Sequence, residues 1–297
     1  MKNPTSFPTS ILAAAIMATV TFDSQAALVI WSGGDGQYTD DANWVGGSVP
    51  NTNGGDTARI DSGNVTYTPG GDLHVHSGGS LVLTGGSWTQ VTSNSWIQLA
   101  GGTLSVAGGT FNQGTADNIV RDNLTTINIS AGIANFSGNF LNQTSNGTFS
   151  INGGAVNIAN EFKPIDSFSM TAGSLSANLI SFADGPGSIN FSGGSISVNG
   201  AGAYSGFYGG GTKSLNFTSG STGSLFISNY TLTDLTSDAF LSNGTIQYNG
   251  AASLSSFTAA EADGGVYVTL AAVPEPASPL FLLGSIGVML IVRRRNH

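Results

Sequence analysis

The chain has 297 residues, of which 43 are glycine and none is cysteine, so disulfide frameworks and thiolate metal sites are excluded. Charged residues make up only 8% and hydrophobic residues 40%, a balance that excludes the low-hydrophobicity class of disordered proteins. Between residues 27 and 272 there are four basic and fifteen acidic residues, a net charge of −11, so we expect no nucleic-acid partner.

Residues 1–26 have the three parts of a secretory signal peptide, which predicts an N-terminal signal helix and export. Lys2 supplies a basic start, residues 11–20 form an apolar stretch, and residues 24–26 offer a cleavage site after Ala26. An N-terminal membrane helix is the alternative. Ten apolar residues are too few to span about 30 Å of hydrocarbon, so we favour the cleaved signal.

Residues 27–57 contain no copy of the repeat that follows them and are predicted to form an N-terminal cap, which protects the exposed strand edge of a solenoid. The stretch resembles the W-x-G-x-G…W…P…D-x-A-x-I segment found ahead of β-helical repeats in many exported bacterial proteins. Its carboxylates on Asp35, Asp40 and Asp41 are oxygen ligands of the kind that calcium takes. We expect no cofactor, with calcium at the cap as the alternative.

A phrase of the form apolar-x-apolar-x-small-Gly recurs along the middle of the chain. Its final glycines lie 19 to 26 residues apart, at Gly63, Gly86, Gly109, Gly132, Gly154, Gly173, Gly194, Gly220 and Gly244. Self-similarity at a nearly fixed period is typical of a solenoid in which each repeat forms one coil. The phrase therefore predicts a repeat domain over residues 58–272.

The apolar positions within the phrase alternate, which places both members of each pair on one face of a strand. Another apolar position, two residues after the glycine, indicates a second strand beyond a bend; these positions are Val65, Trp88, Phe111, Ala134, Val156, Leu175 and Ile196. The predicted fold is all-β, a right-handed parallel β-helix of about nine rungs of about 22 residues each. An antiparallel β-sandwich or barrel is the alternative, because short strands and glycine turns fit it too.

Asp72, His74 and His76 alternate with Leu73 and Val75, so the three polar side chains lie on one face of a predicted strand. Imidazole and carboxylate groups bind zinc and related metals. Because a third strong ligand is lacking, we predict no metal site and interpret these residues as a solvated strand face.

The longest interval between repeats holds the stretch GAGAYSGFYGGGTK, and an insertion in one repeat commonly forms a loop on a binding face. Tyr204, Phe207 and Tyr208 are therefore the candidate ligand-binding residues, and their ligand is unknown. Catalysis needs titratable groups that converge in a cleft, whereas the four basic residues of the body are spread along the chain. We predict no catalytic residues and no enzyme, with a polysaccharide lyase or hydrolase as the alternative.

The last 25 residues form a tail with three parts. Pro274, Glu275 and Pro276 precede an apolar run from Leu280 to Val292, and Arg293, Arg294 and Arg295 follow it. This arrangement over residues 273–297 resembles the PEP-CTERM sorting signal of Gram-negative bacteria. The resemblance implies recognition by an exosortase, a transpeptidase-like enzyme of the inner membrane, with membrane contact through the apolar run. As a short helix, that run reaches about 20 Å, less than the roughly 30 Å of a bilayer core.

The signal peptide and the tail together predict an exported protein that is tethered transiently to the inner membrane and then reaches the cell surface or the medium. Proteins with this tail are commonly linked to exopolysaccharide and biofilm, which implies an extracellular polysaccharide partner and a structural or matrix role. A carbohydrate-binding or polysaccharide-degrading β-helix and an adhesin are the alternatives. An exposed aromatic row would favour glycan binding, a groove with paired acids and bases an enzyme, and a uniform Thr/Asn/Ser face the structural role.

Overall fold

The computed structural model describes residues 26–91, 96–114, 119–122, 125–138, 147–164, 167–182, 188–200, 206–208, 214–237 and 245–271. The predicted signal helix and the predicted C-terminal hydrophobic helix lie outside these residues. Helical structure within the described residues is confined to α1 (Leu232–Ser237) and three single 3₁₀ turns, Asp41–Asn43, Thr52–Gly54 and Leu254–Ser256.

Strands make up most of the described chain. The first half contains β1 (Leu28–Ile30), β2 (Gly36–Gln37), β3 (Thr57–Ile60), β4 (Asn64–Tyr67), β5 (Leu73–His74), β6 (Ser80–Leu83), β7 (Ser87–Gln90), β8 (Ile97–Ala100), β9 (Thr103–Gln113), β10 (Ile119–Asp122) and β11 (Thr126–Phe136). The second half contains β12 (Thr148–Ile151), β13 (Ala155–Phe162), β14 (Ser167–Met170), β15 (Ser174–Ser181), β16 (Ser188–Phe191), β17 (Ser195–Val198), β18 (Gly206–Tyr208), β19 (Leu215–Phe217), β20 (Ser224–Ser228), β21 (Ile246–Tyr248), β22 (Phe257–Ala262) and β23 (Gly265–Leu270).

The strands form a curled sheet wound as a β-solenoid, and we name its sides A, B and C in the order in which the chain visits them. Side A is a parallel ladder of β1, β3, β6, the first halves of β9 and β11, β12, β14, β16, β19 and β21. Its register aligns the apolar phrase positions, so that Leu81 pairs with Leu104 and Leu104 with Ile127. The parallel β-solenoid is confirmed, and the antiparallel sandwich or barrel is wrong for the body.

Side B follows the glycine bend and is a second parallel ladder, of β2, β4, β7, the second halves of β9 and β11, the first halves of β13 and β15, β17 and β20. The predicted second apolar position is confirmed, because Val65 pairs with Trp88 and Trp88 with Phe111. The phrase glycines from Gly63 to Gly220 all have a positive φ, the left-handed conformation in which glycine is favoured.

Side C is shorter and less regular. Near the N-terminal end it consists of β5, β8 and β10, and further along of the second halves of β13 and β15 with β18. The described residues form about five turns of the solenoid, and the predicted nine rungs are not confirmed.

The C-terminal end departs from the predicted repeat in two ways. The phrase that ends at Gly244 lies outside the described residues, and the strand that pairs with β19 on side A is β21, which follows that glycine. On side B, β23 pairs antiparallel with β20 and with β22. The hairpin of β22 and β23 therefore covers the last parallel strand of side B.

The core is a continuous column of apolar side chains inside the solenoid. Toward the N-terminal end it contains a series of aromatic rings whose neighbouring centroids lie 4.9 to 5.8 Å apart: Trp44, Tyr38, Tyr67, Trp88, Phe111 and Phe136. Trp88 and Phe111 stack with an interplanar angle of 5°. These rings are buried, so the predicted placement of Trp88 in the core is confirmed. The segment 27–57 contributes Trp44 and Tyr38 to this series, and its strands β1 and β2 pair parallel with β3 and β4, while its role as a cap stays a prediction.

Tyr38 is expected to make the fold less stable at alkaline pH. Burial raises the pKa of its hydroxyl well above the usual value of about 10, so the folded state holds the neutral form. Above that pH the unfolded state gains by ionising, and the free energy of unfolding falls as pH rises. We expect Tyr38→Phe to make this fall less steep between about pH 9.5 and 11. Urea titrations at several pH values measure it, and an unchanged slope would contradict the role of Tyr38.

Candidate functional site

The outward positions of side A form a polar surface along the described part of the solenoid. Paired strands place hydroxyl side chains in one in-register column, Thr57, Ser80, Thr103, Thr126, Thr148, Ser167 and Ser188. Two residues further along each strand runs a second column, which includes Ser105, Asn128, Ser150, Ser169, Asn190 and Asn216. We call the two columns, from Thr103 to Asn216, the hydroxyl face.

Hydrogen bonds between successive coils order part of the hydroxyl face. The Ser150 hydroxyl donates to Oδ1 of Asn128 at 2.9 Å, and Nδ2 of Asn216 donates to Oδ1 of Asn190 at 3.1 Å. Neighbouring strands lie about 4.8 Å apart, so equivalent groups repeat at that distance along the axis. The face therefore offers a regular array of hydroxyl and amide groups, with the sites not used between coils directed to solvent.

Side B carries a shorter ladder of amides at its outward positions. Asn112 donates from Nδ2 to the Thr89 hydroxyl at 3.1 Å, Asn135 to Oδ1 of Asn112 at 2.7 Å, and Asn157 to Oδ1 of Asn135 at 2.8 Å. Stacked amides of this kind bond each coil to the next through side chains as well as backbone. A shallow groove lies beside the ladder, lined by Asn135, Asn157, Ser176 and Asn178.

The hydroxyl face contains no charged residue and no aromatic residue among its outward positions. Among the described residues, the strongly exposed large apolar side chains include one aromatic, Trp96, which is 39% exposed. An isolated tryptophan does not make an aromatic row. Of the three surfaces considered from the sequence, the uniform Thr/Asn/Ser face is the one that the described residues form.

Asp72, His74 and His76 lie on the outer face of side C, while Leu73 and Val75 are buried, as the alternation predicts. The Asp72 carboxylate accepts a hydrogen bond from the backbone nitrogen of Trp96 and another from Nε2 of Gln98, both at 2.7 Å. The two imidazole rings pack edge to face, with centroids 5.2 Å apart. Within the described residues, no group of three His, Asp or Glu side chains is placed to hold a metal.

The candidate ligand loop is only partly described. Tyr204 lies outside the described residues. Phe207 and Tyr208 belong to β18, which pairs with Ile180 and Ser181 of β15 on side C. The prediction of a loop is therefore wrong for these two residues, whose backbone continues the solenoid. Their role in ligand binding stays a prediction.

The carboxylates of the N-terminal cap bond to nearby backbone. Asp41 accepts from the Val49 backbone nitrogen at 2.7 Å, and Asp56 accepts from those of Ala27 and Asn51 at 2.9 and 2.8 Å. Asp35 bonds to Asn64, so its carboxylate joins the cap to β4. These contacts fix the loops of residues 27–57. The carboxylates lie on several separate turns of the chain.

Two ion pairs stand at the surface of the described residues. Arg59 bonds to Asp61 at 2.7 Å with both side chains 40% exposed, and Lys163 lies 3.9 Å from Glu161. Each pair is formed by residues two positions apart in sequence.

The chain was compared with known families, curated proteins and solved structures. Residues 272–296 match the PEP-CTERM protein-sorting motif. The chain carries a PEP-CTERM motif. No curated protein and no solved structure matches the chain. The PEP-CTERM motif covers Pro274, Glu275, Pro276 and the basic end, all of which lie outside the described residues.

The PEP-CTERM motif settles the route of the protein in outline. It is the recognition signal for exosortase processing, and it marks an exported protein that is sorted at the membrane toward the cell surface. Among the helices of the described residues, none has the length and apolar character needed to cross a membrane. The membrane contact expected of the run from Leu280 to Val292 stays a prediction.

The first hydroxyl column of side A also carries a signal in the sequence. The residue directly before the first apolar position of the phrase is Thr or Ser in the copies from Thr57 to Ser188. Each of these residues lies at an outward position of its strand. Placed in register with the apolar positions, these residues indicate a polar column on the outward surface of side A.

Proposed function

We propose that this protein is a structural component of an extracellular matrix at the bacterial surface, and that its body lies within exopolysaccharide or biofilm. The observation that carries the proposal is the hydroxyl face, a regular neutral array on an exported, sorted chain. Hydroxyl and amide groups exchange hydrogen bonds readily with water and with sugar hydroxyls. A surface without charge or aromatic rings supports broad, weak association along a polymer better than capture of one sugar.

The handedness and the length of the solenoid are part of the same proposal. Parallel strands in one sheet are joined by right-handed crossovers in about 98% of cases, which supports a right-handed solenoid. The ladder of side A from β3 to β21 supports a rod of about nine coils, roughly 40 Å long at about 4.8 Å per coil. A rigid rod of this kind suits a protein that spaces or stiffens a polymer layer.

The proposal assigns no catalytic reaction and no cofactor to the body. Its partners are the exosortase, through the PEP-CTERM motif, and an extracellular polysaccharide, through the hydroxyl face. Specific glycan binding, polysaccharide cleavage and adhesion to another cell are the competing functions, and each has a distinct experimental outcome.

Cosedimentation of the purified chain with exopolysaccharide from the producing cells tests the partner. We expect association that weakens at least threefold in the variant Thr148→Glu/Ser167→Glu, because both residues are exposed on the hydroxyl face and the new carboxylates hold water strongly. Ser195→Glu, exposed on side B, is the matched control and should bind as the native chain does. Equal binding by all three proteins would refute the role of the face.

A glycan array and a viscosity assay separate the competing functions. The proposal expects no saturable binding to one sugar and no fall in polymer viscosity during incubation. Saturable, sugar-specific binding would show a lectin in place of a matrix component, and a fall in viscosity would show an enzyme. Aggregation of cells that lack the polysaccharide would show an adhesin.

A further inference from the structure

Two neighbouring histidines on side C remain unexplained by the polar surfaces described above. His74 and His76 stand at alternate positions on one strand face, with Val75 buried between them. Within the described residues, Nδ1 of His74 and Nε2 of His76 are both buried and have no hydrogen-bond partner. A buried imidazole nitrogen without a partner is costly, since it has lost water and gained nothing in exchange. Two such nitrogens on adjacent rings indicate a ligand that both would contact.

Hydrogen bonds fix the backbone at His74 and His76. The Thr52 hydroxyl donates to the carbonyl oxygen of His74 at 2.6 Å, and the His76 backbone nitrogen donates to the carbonyl oxygen of Thr52 at 3.2 Å. His74 also pairs with Gln98 in the side C ladder. The backbone therefore has little conformational freedom to lose on binding, and only the two side chains must reorient.

The separation of the rings suits a shared metal ion. An imidazole bound to zinc at about 2.0–2.1 Å has its ring centre about 3.2 Å from the ion, so two imidazoles at a tetrahedral angle have centres roughly 5.2 Å apart. The observed distance between the His74 and His76 centroids is 5.2 Å. The rings therefore need only rotation about their side-chain bonds to direct one nitrogen each at a common point.

Asp72 is not a third ligand in this arrangement. Each of its carboxylate oxygens accepts one hydrogen bond, from the Trp96 backbone nitrogen and the Gln98 side chain, so the carboxylate is held toward the next coil. This explains why the three residues share a strand face and yet form no three-ligand group. The remaining coordination positions would be open to water, as in sites with few protein ligands.

We propose that His74 and His76 form a two-histidine chelate for one borderline divalent transition ion, with zinc or copper the preferred metals. Imidazole nitrogen selects these ions over calcium and magnesium, which prefer oxygen. The net charge of −11 on the body favours any cation. The site binds its ion at the outer surface of side C, away from the hydroxyl face, and is independent of the matrix role.

Isothermal titration of the purified full chain with ZnCl₂ tests the site. We expect one ion per chain, at least a tenfold loss of affinity in His74→Asn and in His76→Asn, and no loss in His297→Ala, which removes the remaining histidine. Circular dichroism shows whether each variant is folded, so that lost binding is separated from lost structure.

Asp72→Asn distinguishes the two-ligand site from a three-ligand one. The proposal expects zinc affinity within threefold of the native value, whereas a carboxylate ligand would make the variant as weak as His74→Asn. Copper electron paramagnetic resonance gives a second reading, with nitrogen coupling that falls when either histidine is replaced. The absence of one-to-one zinc binding, or binding that survives both histidine variants, would overturn the proposal.

Discussion

Replacing Gly109 with alanine is expected to lower the free energy of unfolding by about 2–5 kcal/mol. Gly109 has a φ of +68°, a conformation that costs an L residue about 1–2 kcal/mol. A Cβ at this position would also lie 2.3 Å from the carbonyl oxygen of Gly86 in the preceding coil. That oxygen belongs to backbone and cannot rotate away, so the two coils must separate at a further cost of about 1–3 kcal/mol.

Two other glycines serve as controls that separate the conformational cost of Gly109→Ala from its steric cost. Gly220 has a φ of +73° with no atom within 4 Å of a Cβ, so Gly220→Ala is expected to cost only the conformational share, about 1–2 kcal/mol. Gly70 has open space and no positive φ, and Gly70→Ala should change stability by less than about 0.5 kcal/mol. Urea unfolding followed by circular dichroism measures all three. Equal losses in Gly109→Ala and Gly220→Ala would contradict close stacking of the coils at the bend.

Replacing Trp88 with alanine is expected to cost about 3–5 kcal/mol, the usual loss for a large aromatic side chain removed from a core. Trp88 is completely buried, with the Tyr67 ring on one side at 5.8 Å and the Phe111 ring on the other at 4.9 Å. Its removal leaves a cavity between coils whose backbones are held by parallel pairing. The neighbouring coils cannot collapse into the space without breaking that pairing.

Trp96 is the matched control for Trp88, since it is the same residue type at a surface position and 39% exposed. Trp96→Ala should change the free energy of unfolding by about 0.5 kcal/mol or less. Trp88→Phe keeps a ring in the stack and should cost less than Trp88→Ala. A loss on Trp96→Ala as large as on Trp88→Ala would contradict the assignment of Trp88, and not Trp96, to the core.

The ladders of sides A and B could be predicted from the sequence because burial and chain geometry act on the same few positions. A residue such as Leu104 must match Leu81 and Ile127 in position as well as in polarity, since all three stack in register. The glycine that follows must occupy a bend that repeats from coil to coil. Both constraints produce a periodic pattern in the sequence, which is the repeat phrase.

Side C could not be predicted in the same way. Its strands are short, as in β5 with Leu73 and His74, and the segments between them vary in length, so that no phrase marks them. Phe207 and Tyr208 therefore looked like part of a loop. The pairing of β18 with β15 depends on distant coils being held in place by sides A and B. Pairing that depends on distant coils cannot be predicted from any local stretch of sequence.

The C-terminal hairpin and the histidine pair show two further limits of sequence reasoning. An apolar run such as β23 has the same pattern whether it pairs parallel or antiparallel, so its antiparallel contact with β20 left no signal. The alternation of His74 and His76 was visible, but the contacts that occupy Asp72 were not. Only the described geometry separates two candidate ligands from three.

The sorting route is the central claim about this protein, and the mature C-terminus tests it most directly. Mass spectrometry of the protein recovered from the surface or medium would be compared between cells with and without the exosortase. We predict that, in cells with the enzyme, the recovered chain lacks the basic end of residues 293–297, and that, in cells without it, the uncleaved chain stays at the inner membrane. Surface-recovered protein that retains an intact C-terminal His297 in cells with the enzyme would contradict the account.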